Sequence, residues 1–316
     1  MKKPLIILTG PTAVGKTKAS IGLAKALGGE IISADSMQVY KHMNIGSAKI
    51  RPEEMGHIPH HLIDVLEPNE EFNVVRFQQM AKAALEDIYA KSKIPIVVGG
   101  TGFYIQALLY DIDFTSNEED TTYRCELEQL AKENGAEFLH ERLKSIDPES
   151  AEIIHANNVK RVIRALEFYH QTGTPISAHN EQERAKSSPY EFCYFVLTDE
   201  REHLYNRINL RIDQMLEEGL VAEVTELKDK GYTKDMVSMQ GLGYKEILDY
   251  LNGECSLEDA VYILKRDTRH FAKRQLTWFR RERDVIWIDK KQYDYNDEKI
   301  LEAMLSHIRE RMTISC

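Results

Sequence analysis

Cysteine is scarce. The four residues, Cys125, Cys193, Cys255 and Cys316, are far apart and form no Cys-x-x-Cys pair. That spacing suggests neither a zinc site nor a disulfide framework, and it fits a reducing cytoplasm. Long apolar runs are missing too, since none approaches the roughly 20 residues of a membrane span. The first run, Leu5–Leu8, is shorter than the apolar stretch of about 7 to 15 residues in a signal peptide. It leads directly into a glycine-containing loop and reads as a buried strand. Net basic charge is lacking: the chain carries −10 at pH 7, which argues mildly against a nucleic-acid partner. There is no Asn-Lys-x-Asp, which disfavours guanine nucleotides. Nor does an apolar run end in Asp in the Walker B manner, Phe195–Asp199 being the nearest approach. No internal repeat or low-complexity tract is present.

What remains is an ordinary globular composition, 42% apolar and 29% charged over 316 residues, enough for one large core plus a second domain or an insertion. Its organising stretch is residues 5–17. The apolar run stops at Gly10, and Gly10, Pro11, Thr12, Ala13, Val14, Gly15, Lys16 and Thr17 spell Gly-x-x-x-x-Gly-Lys-Thr. An amphipathic segment with Ile21, Leu23, Ala24 and Leu27 follows. Strand, loop and helix in that order are the context a phosphate-binding loop requires. Its glycines let successive backbone N–H groups converge on phosphate oxygens, and the helix N-terminus adds partial positive charge. Lys16 contributes a point charge, and the Thr17 hydroxyl can enter the shell of a Mg²⁺ ion.

Five short β-rich runs read as buried strands: Leu5–Leu8, Glu30–Ala34, Ile94–Val98, Phe192–Leu197 and Val285–Ile288. Helical patterns separate them, which predicts an α/β fold with a P-loop-type parallel β-sheet core and helices on both faces. Between the third and fourth runs only helical patterns occur, over Glu118–Asn134, Glu137–Ile146, Pro148–Ile154 and Val159–Gln171. Residues 113–188 are therefore expected to form a helical insertion domain, with 1–112 and 189–316 as the core. Further helices are expected over Arg201–Glu218, Leu220–Lys230 and Leu257–Arg281, and Thr313–Cys316 is expected to fray.

Other chemistry gathers at strand ends. Asp35 follows the second run, at the edge where open parallel sheets bind ligands. A carboxylate there can take a proton from a nucleophile or hold a water of Mg²⁺, or it can simply cap the next turn. Gly99, Gly100, Thr101 and Gly102 bring backbone N–H groups and a hydroxyl to the same rim. Arg207 and Arg211, four apart, share a helix face and can close onto a diphosphate. His60–His61 lacks further ligands at metal spacing and reads as structural, or as a hydrogen-bonding element near the site. Between Lys265 and Arg283, eight basic residues oppose Asp267 and Glu282. That is +6 locally and leaves about −16 elsewhere, an asymmetry expected when one surface faces a polyanion. Lys160, Arg161 and Arg164 make a second basic group.

Taken together, these residues resemble the tRNA dimethylallyltransferases, also called tRNA isopentenyltransferases. The likeness runs through Gly10–Thr17, Asp35–Tyr40, Ile45–Lys49, Pro59–Asp64, Gly99–Tyr104, Arg161–Glu167, Gln240–Glu246 and Arg274–Arg280. The phosphate loop is common to many families, whereas Asp-Ser-Met-Gln-Val-Tyr and Gln-Leu-Thr-Trp-Phe-Arg are far more specific. Leu242 and Phe103 are mild variants. The absence of a C-terminal zinc finger matches the shorter bacterial form.

The resemblance implies that dimethylallyl diphosphate occupies the loop with Mg²⁺ on Thr17. Its prenyl group would pass to the N6 amine of the adenine 3′ of the anticodon in tRNA. Asp35, Lys16, Thr101 and Arg211 would then be catalytic, with Asp35 accepting the amine proton. The loop residues and Arg207 would hold the diphosphate. Contacts to the anticodon stem-loop would come from Asp35, Ser36, Met37, Gln38, Thr101, Arg124, Lys160, Arg161, Arg164, Lys273, Arg274 and Arg280. Gln38 offers an amide suited to an adenine edge, and the base must leave its stack to reach the site. The protein is expected to act as a cytoplasmic monomer without membrane attachment. Three other readings use the same residues: a P-loop small-molecule or nucleotide kinase, an adenylate isopentenyltransferase, against which the large insertion and two basic helices argue, and a non-catalytic RNA-binding regulator.

Overall fold

The computed structural model describes residues 2–114 and 122–313. Six strands make one parallel sheet: β1 (Lys3–Thr9), β2 (Glu30–Ser33), β3 (His60–His61), β4 (Pro95–Gly99), β5 (Tyr190–Thr198) and β6 (Val285–Asp289), in the order β3-β2-β4-β1-β5-β6. β1 lies between β4, with Ile6 opposite Ile96 and Thr9 opposite Gly99, and β5, with Lys3 opposite Tyr190. Leu5, Ile6, Ile7 and Leu8 are all buried because helices cover both faces, so their strand is uniformly apolar. At the edge, β6 alternates instead: Ile286 and Ile288 point inward while Trp287 is exposed. Each strand expected from the sequence is found, with small shifts at its ends.

His60–His61 adds a sixth strand that periodicity could not show, since two residues carry no period. His61 Nε2 lies 2.8 Å from Glu30 Oε2, and Lys91 and Lys93 complete the cluster at 3.1 and 2.8 Å. Burial pushes the Glu30 carboxyl up, but hydrogen bonds from Lys93, His61 and Lys91 outweigh it and bring it down to about 2. This cluster occupies the start of β2, at the opposite end from Asp35, so the histidine pair is structural.

The chain divides into two compact units, Met1–Leu109 with Pro189–Cys316, and Tyr110–Ser188. The first carries α1 (Lys16–Leu27), α2 (Val74–Ala90) and α3 (Gly102–Leu109). The second holds α4 (Thr122–Asn134), α5 (Ala136–Ile146), α6 (Pro148–Ile153), α7 (Val159–Thr172) and α8 (Ile176–Ala185). α9 (Arg201–Glu217), α10 (Leu220–Asp229), α11 (Tyr244–Leu251), α12 (Leu257–Phe279) and α13 (Asp297–Arg311) return to the first unit. The expected start of α4 at Glu118 and the expected fraying of residues 314–316 lie outside the described residues.

The second unit has its own core of Leu127, Leu139, Leu143, Val162, Ile163 and Leu166. Each such side chain contributes about 1.5–3 kcal/mol on burial. Asp147 ties it together: Oδ1 accepts from Ser150 N and caps α6, while Oδ2 accepts from Ser177 N in α8, each at 3.0 Å. The sequence pattern gives no helix over 176–185; α8 has no fully buried residue, and Ile176 packs only partly against that core. α12 starts where the Ser256 side chain accepts from Asp259 N.

Candidate active site

The carboxyl ends of β1, β2 and β4 are drawn together by hydrogen bonds that need small residues. Thr9 Oγ1 donates to Gly99 O at 2.7 Å, fixing the end of β1 to that of β4. Gly10 sits at φ 145°, and a Cβ there would lie 2.4 Å from Leu197 O on β5. A Cβ on Gly99 would come within 2.2 Å of Ala34 O, and one on Gly100 within 2.2 Å of Gln275 Nε2. The phosphate loop and the Gly99–Gly102 turn are bridged by that glutamine of α12. Gln275 Oε1 accepts from Thr12 N at 2.9 Å, and Nε2 donates to Gly100 O at 3.0 Å. Gln275 stands in the Gln-Leu-Thr-Trp-Phe-Arg motif, but the sequence alone gives it no role. Its signal was present: four residues from both Phe271 and Phe279, it falls on the apolar side, where a polar group must find partners.

Lys16, the first residue of α1, folds over the loop and donates to Gly10 O at 3.0 Å and Pro11 O at 2.9 Å. Burial lowers its pKa to about 8; Asp35 works against that and Arg211 adds to it. Burial also lowers Arg211, which again senses Asp35 as well as Arg207. Lys16, Asp35 and Arg211, distant in sequence, thus share one electrostatic site. Arg211 forms no hydrogen bond or ion pair among the described residues, whereas Arg207 Nε donates to Ala13 O at 2.8 Å. The two α9 arginines are therefore unequal: Arg207 grips the loop and Arg211 is uncommitted.

Asp35 uses its two oxygens differently. Its Oδ1 accepts from Met37 N at 2.8 Å and Gln38 N at 3.3 Å, a capped turn, while Oδ2 makes no hydrogen bond among the described residues. Thr101 behaves similarly. Its backbone is engaged with Ala34 O and with Tyr104 and Ile105 of α3, and its hydroxyl makes no hydrogen bond among the described residues. Gln38 is different. Nε2 donates to Ser47 O and Ala48 O, and Oε1 accepts from Ser33 Oγ. Its amide is fully used holding the 33–48 segment, so pairing with a base requires giving those bonds up. Ser36 and Met37 are half-buried, and Met37 Cε lies 2.4 Å from where a Cβ on Gly241 would stand.

The segment after Asp35 is anchored from α10. The Glu223 carboxylate accepts from the backbone N–H groups of Asn44, Ile45 and Gly46 at 2.9, 2.7 and 3.1 Å, and from Tyr244 OH at 2.8 Å. Glu223→Ala is expected to cost about 1.5–3 kcal/mol, since hydrogen bonds to a charged acceptor are lost and their donors stay half-buried. Urea denaturation would read this as a lower midpoint, with Glu223→Gln intermediate. An unchanged midpoint would mean that the segment holds itself.

Thr17 is exposed at the second position of α1. Among the described residues no group of three or more His, Cys, Asp or Glu side chains could hold a metal. A metal at this loop would rest on the Thr17 hydroxyl, phosphate oxygens, and Asp35 through water. That is an all-oxygen set, which suits Mg²⁺.

The basic residues divide by partner. Lys265 pairs with Asp213, Arg266 with Asp267, and Arg269 donates to Asn209. Farther along, Lys273, Arg274 and Arg280 are exposed and form no ion pair among the described residues. Lys273 and Arg274, with His270, Thr277, Trp278 and Arg281, line a groove of about 410 Å³. Trp278 connects this groove to the glycine turn: a Cβ on Gly102 would lie 2.2 Å from its Cδ1, and Phe103 meets it edge-on at 6.1 Å. In the second unit, Lys160 and Arg161 are exposed on α7. Arg124 instead makes a two-pronged pair with the buried Glu167, at 2.9 and 2.7 Å, and Arg164 approaches the same carboxylate at 3.7 Å.

The parallel sheet, with a phosphate loop after its β1 strand and α1 beginning at the loop lysine, defines a P-loop α/β protein. Residues 38–282 match the family model described as IPP transferase, and residues 3–65 match one described as isopentenyl transferase. The chain belongs to the IPP transferase family. It is 63% identical over 312 residues to a tRNA dimethylallyltransferase of Lachnoclostridium phytofermentans, covering 99% of each. The crystal structure of the full-length tRNA isopentenylpyrophosphate transferase of Bacillus halodurans is similar at TM-score 0.73 and 45% identity, covering 98% of each chain. A eukaryotic dimethylallyltransferase crystallised acting on tRNA is similar at TM-score 0.83 and 30% identity. That likeness covers 99% of this chain and 81% of the other.

Proposed function

We propose that this enzyme transfers the dimethylallyl group of dimethylallyl diphosphate to the N6 amine of the adenine 3′ of the tRNA anticodon. The observation that carries this reading is the meeting, on one sheet edge, of a phosphate loop, an uncommitted arginine and a carboxylate with one free oxygen. In the reaction the allylic C–O bond breaks and the diphosphate leaves with its electron pair, while a C–N bond forms to the adenine amine. The amine proton goes to Asp35 Oδ2. Lys16, the loop amides and Arg211 hold the negative charge that grows on the leaving oxygen. Thr17 and phosphate oxygens would hold Mg²⁺, which when bound neutralises part of that same charge. The Thr101 hydroxyl, just past the end of β4, would steady the adenine or the diphosphate.

Lys273, Arg274 and Arg280 form the uncommitted part of the α12 stripe and are suited to phosphates of the anticodon stem-loop. Lys160 and Arg161 offer the same chemistry on the insertion. Arg124 supports the α4–α7 packing, and a phosphate contact from it would have to compete with Glu167. No helix of the described residues is long and apolar enough to cross a membrane. A monomer acting in the cytoplasm completes the reading.

The deciding experiment incubates the protein and Mg²⁺ with an unmodified anticodon stem-loop and either dimethylallyl diphosphate or ATP, followed by mass spectrometry. A prenyl mass gain on the adenine 3′ of the anticodon, with the diphosphate donor only, is the expected result. ADP formation without a mass gain would make the protein a kinase. Charge reversal at Lys273 and Arg274 tests the RNA surface. Each lost phosphate contact should lower the slope of log affinity against log salt by about 0.7–0.9. An unaltered slope would place the RNA elsewhere.

A further inference from the structure

Lys290 follows β6 as the first residue of a short 3₁₀ turn, Lys290–Tyr293, outside every motif considered above. It is only 8% exposed. Its Nζ donates to Val14 O, inside the phosphate loop, at 3.3 Å. A Cβ on Gly15 would lie 3.2 Å from the same Nζ and 3.9 Å from Arg207 Nη2, so both cations crowd one side of the loop.

A buried ammonium is costly without a counter-charge, and Lys290 has no carboxylate at ion-pair distance among the described residues. Its nearest opposite charges are already engaged. Asp297 pairs with Lys18 at 2.7 Å, and Asp199 accepts from Glu200 N, His203 Nδ1 and Tyr295 OH. Burial and the neighbouring Arg207 lower the Lys290 pKa, with Lys18 adding to the effect. A side chain needed only to fill this space would be cheaper as a methionine.

The geometry of the peptide unit shows what the charge does. In a trans peptide the C=O and the following N–H point in opposite directions. With Val14 O drawn outward to Lys290, the Gly15 N–H is turned to the other side of the loop, and it makes no hydrogen bond among the described residues. Arg207 holds Ala13 O in the same sense, at 2.8 Å. From this arrangement we infer that Lys290 is a positioning residue of the diphosphate site. It fixes the Val14–Gly15 peptide with its N–H toward the anion, and it leaves an uncompensated charge beside the loop. The inference rests on the dimethylallyl-transfer reading and adds to it a residue outside the loop and the α9 arginines.

The test compares Lys290→Met, Lys290→Gln and Lys290→Arg in the full-length protein. The probes are inhibition by inorganic diphosphate, the KM for dimethylallyl diphosphate, the KM for the stem-loop, and the urea midpoint. Methionine and glutamine should weaken diphosphate inhibition and raise the donor KM by about tenfold, the worth of one charge-assisted interaction. The stem-loop KM should stay put and the urea midpoint should hold or rise. Arginine should restore most of the donor affinity. Wild-type diphosphate affinity in Lys290→Met, or in Lys290→Gln should the methionine variant not fold, would overturn the assignment. Equal losses in both KM values with a lowered midpoint would also overturn it, by showing a general structural role. Wild-type protein indifferent to diphosphate would bring down the dimethylallyl reading itself, and this inference with it.

Discussion

Asp35→Asn should lower the turnover number by about two to four orders of magnitude, the range for loss of a general base. The KM for the stem-loop should change little. Asparagine is the informative substitution because Asp35 does two things with two oxygens. Oδ1 accepts from Met37 N and Gln38 N, and an asparagine carbonyl can take over that turn, whereas only the carboxylate can receive the amine proton on Oδ2. Asp35→Ala removes both, and the lost turn adds about 0.5–1.5 kcal/mol for each hydrogen bond. The two variants should therefore turn over equally slowly but differ in stability. There is one cross-effect to control. Asp35 holds the Lys16 pKa up, so the asparagine variant should bind diphosphate more weakly near neutral pH. Turnover read at saturating donor, apart from the KM, isolates the base from this change in binding. Wild-type turnover in Asp35→Asn under those conditions would remove Asp35 from proton transfer and leave it as a turn residue.

How far this site could be read from the chain depends on how local its parts are. Gly10–Thr17 is contiguous and its strand–loop–helix setting lies within about thirty residues, so the loop was visible at once. Asp35 was visible because a strand end in a parallel sheet is a functional place in itself. Gln275 and Lys290 were not, because each meets the loop across more than 260 positions, Gln275 on Thr12 and Lys290 on Val14. No periodicity encodes such a contact. Residue type says less in the second unit: the resemblance puts Arg124 at the tRNA, and in the fold it makes a two-pronged pair with the buried Glu167. For Gln38, likewise, only the folded 33–48 segment shows that its amide bonds Ser47 O and Ala48 O. β3 and α8 were missed for a simpler reason. A two-residue strand has no pattern, and a helix with no fully buried residue has too weak an apolar face to betray it.

Lys16 should make donor binding and folding respond to alkaline pH in opposite directions. Below about pH 8 the ligand-free protein already carries the charged lysine. A prenyl diphosphate is also fully ionised above that point, since the second ionisation of a phosphate ester falls near 6. Binding therefore needs no proton uptake at lower pH. Above about 8 the free lysine is neutral while the bound diphosphate favours its charged form. Binding must then draw a proton from solution, and affinity should fall about tenfold per pH unit. Folding shows the reverse sign. Between the lowered value of about 8 and the ordinary 10.5 the unfolded chain holds the lysine proton and the folded one does not. The unfolded state binds more protons there, so stability without ligand should rise with pH relative to a Lys16→Met control. That variant should bind the donor at least a hundredfold more weakly at pH 7, on the scale of two lost charge-assisted contacts, and its affinity should no longer vary over this window. A slope that persists in Lys16→Met and vanishes in Lys290→Met would assign the titration to the other buried lysine. Lys16 would then be a permanently charged ligand of the diphosphate whose burial in the free protein is relieved without any change of protonation.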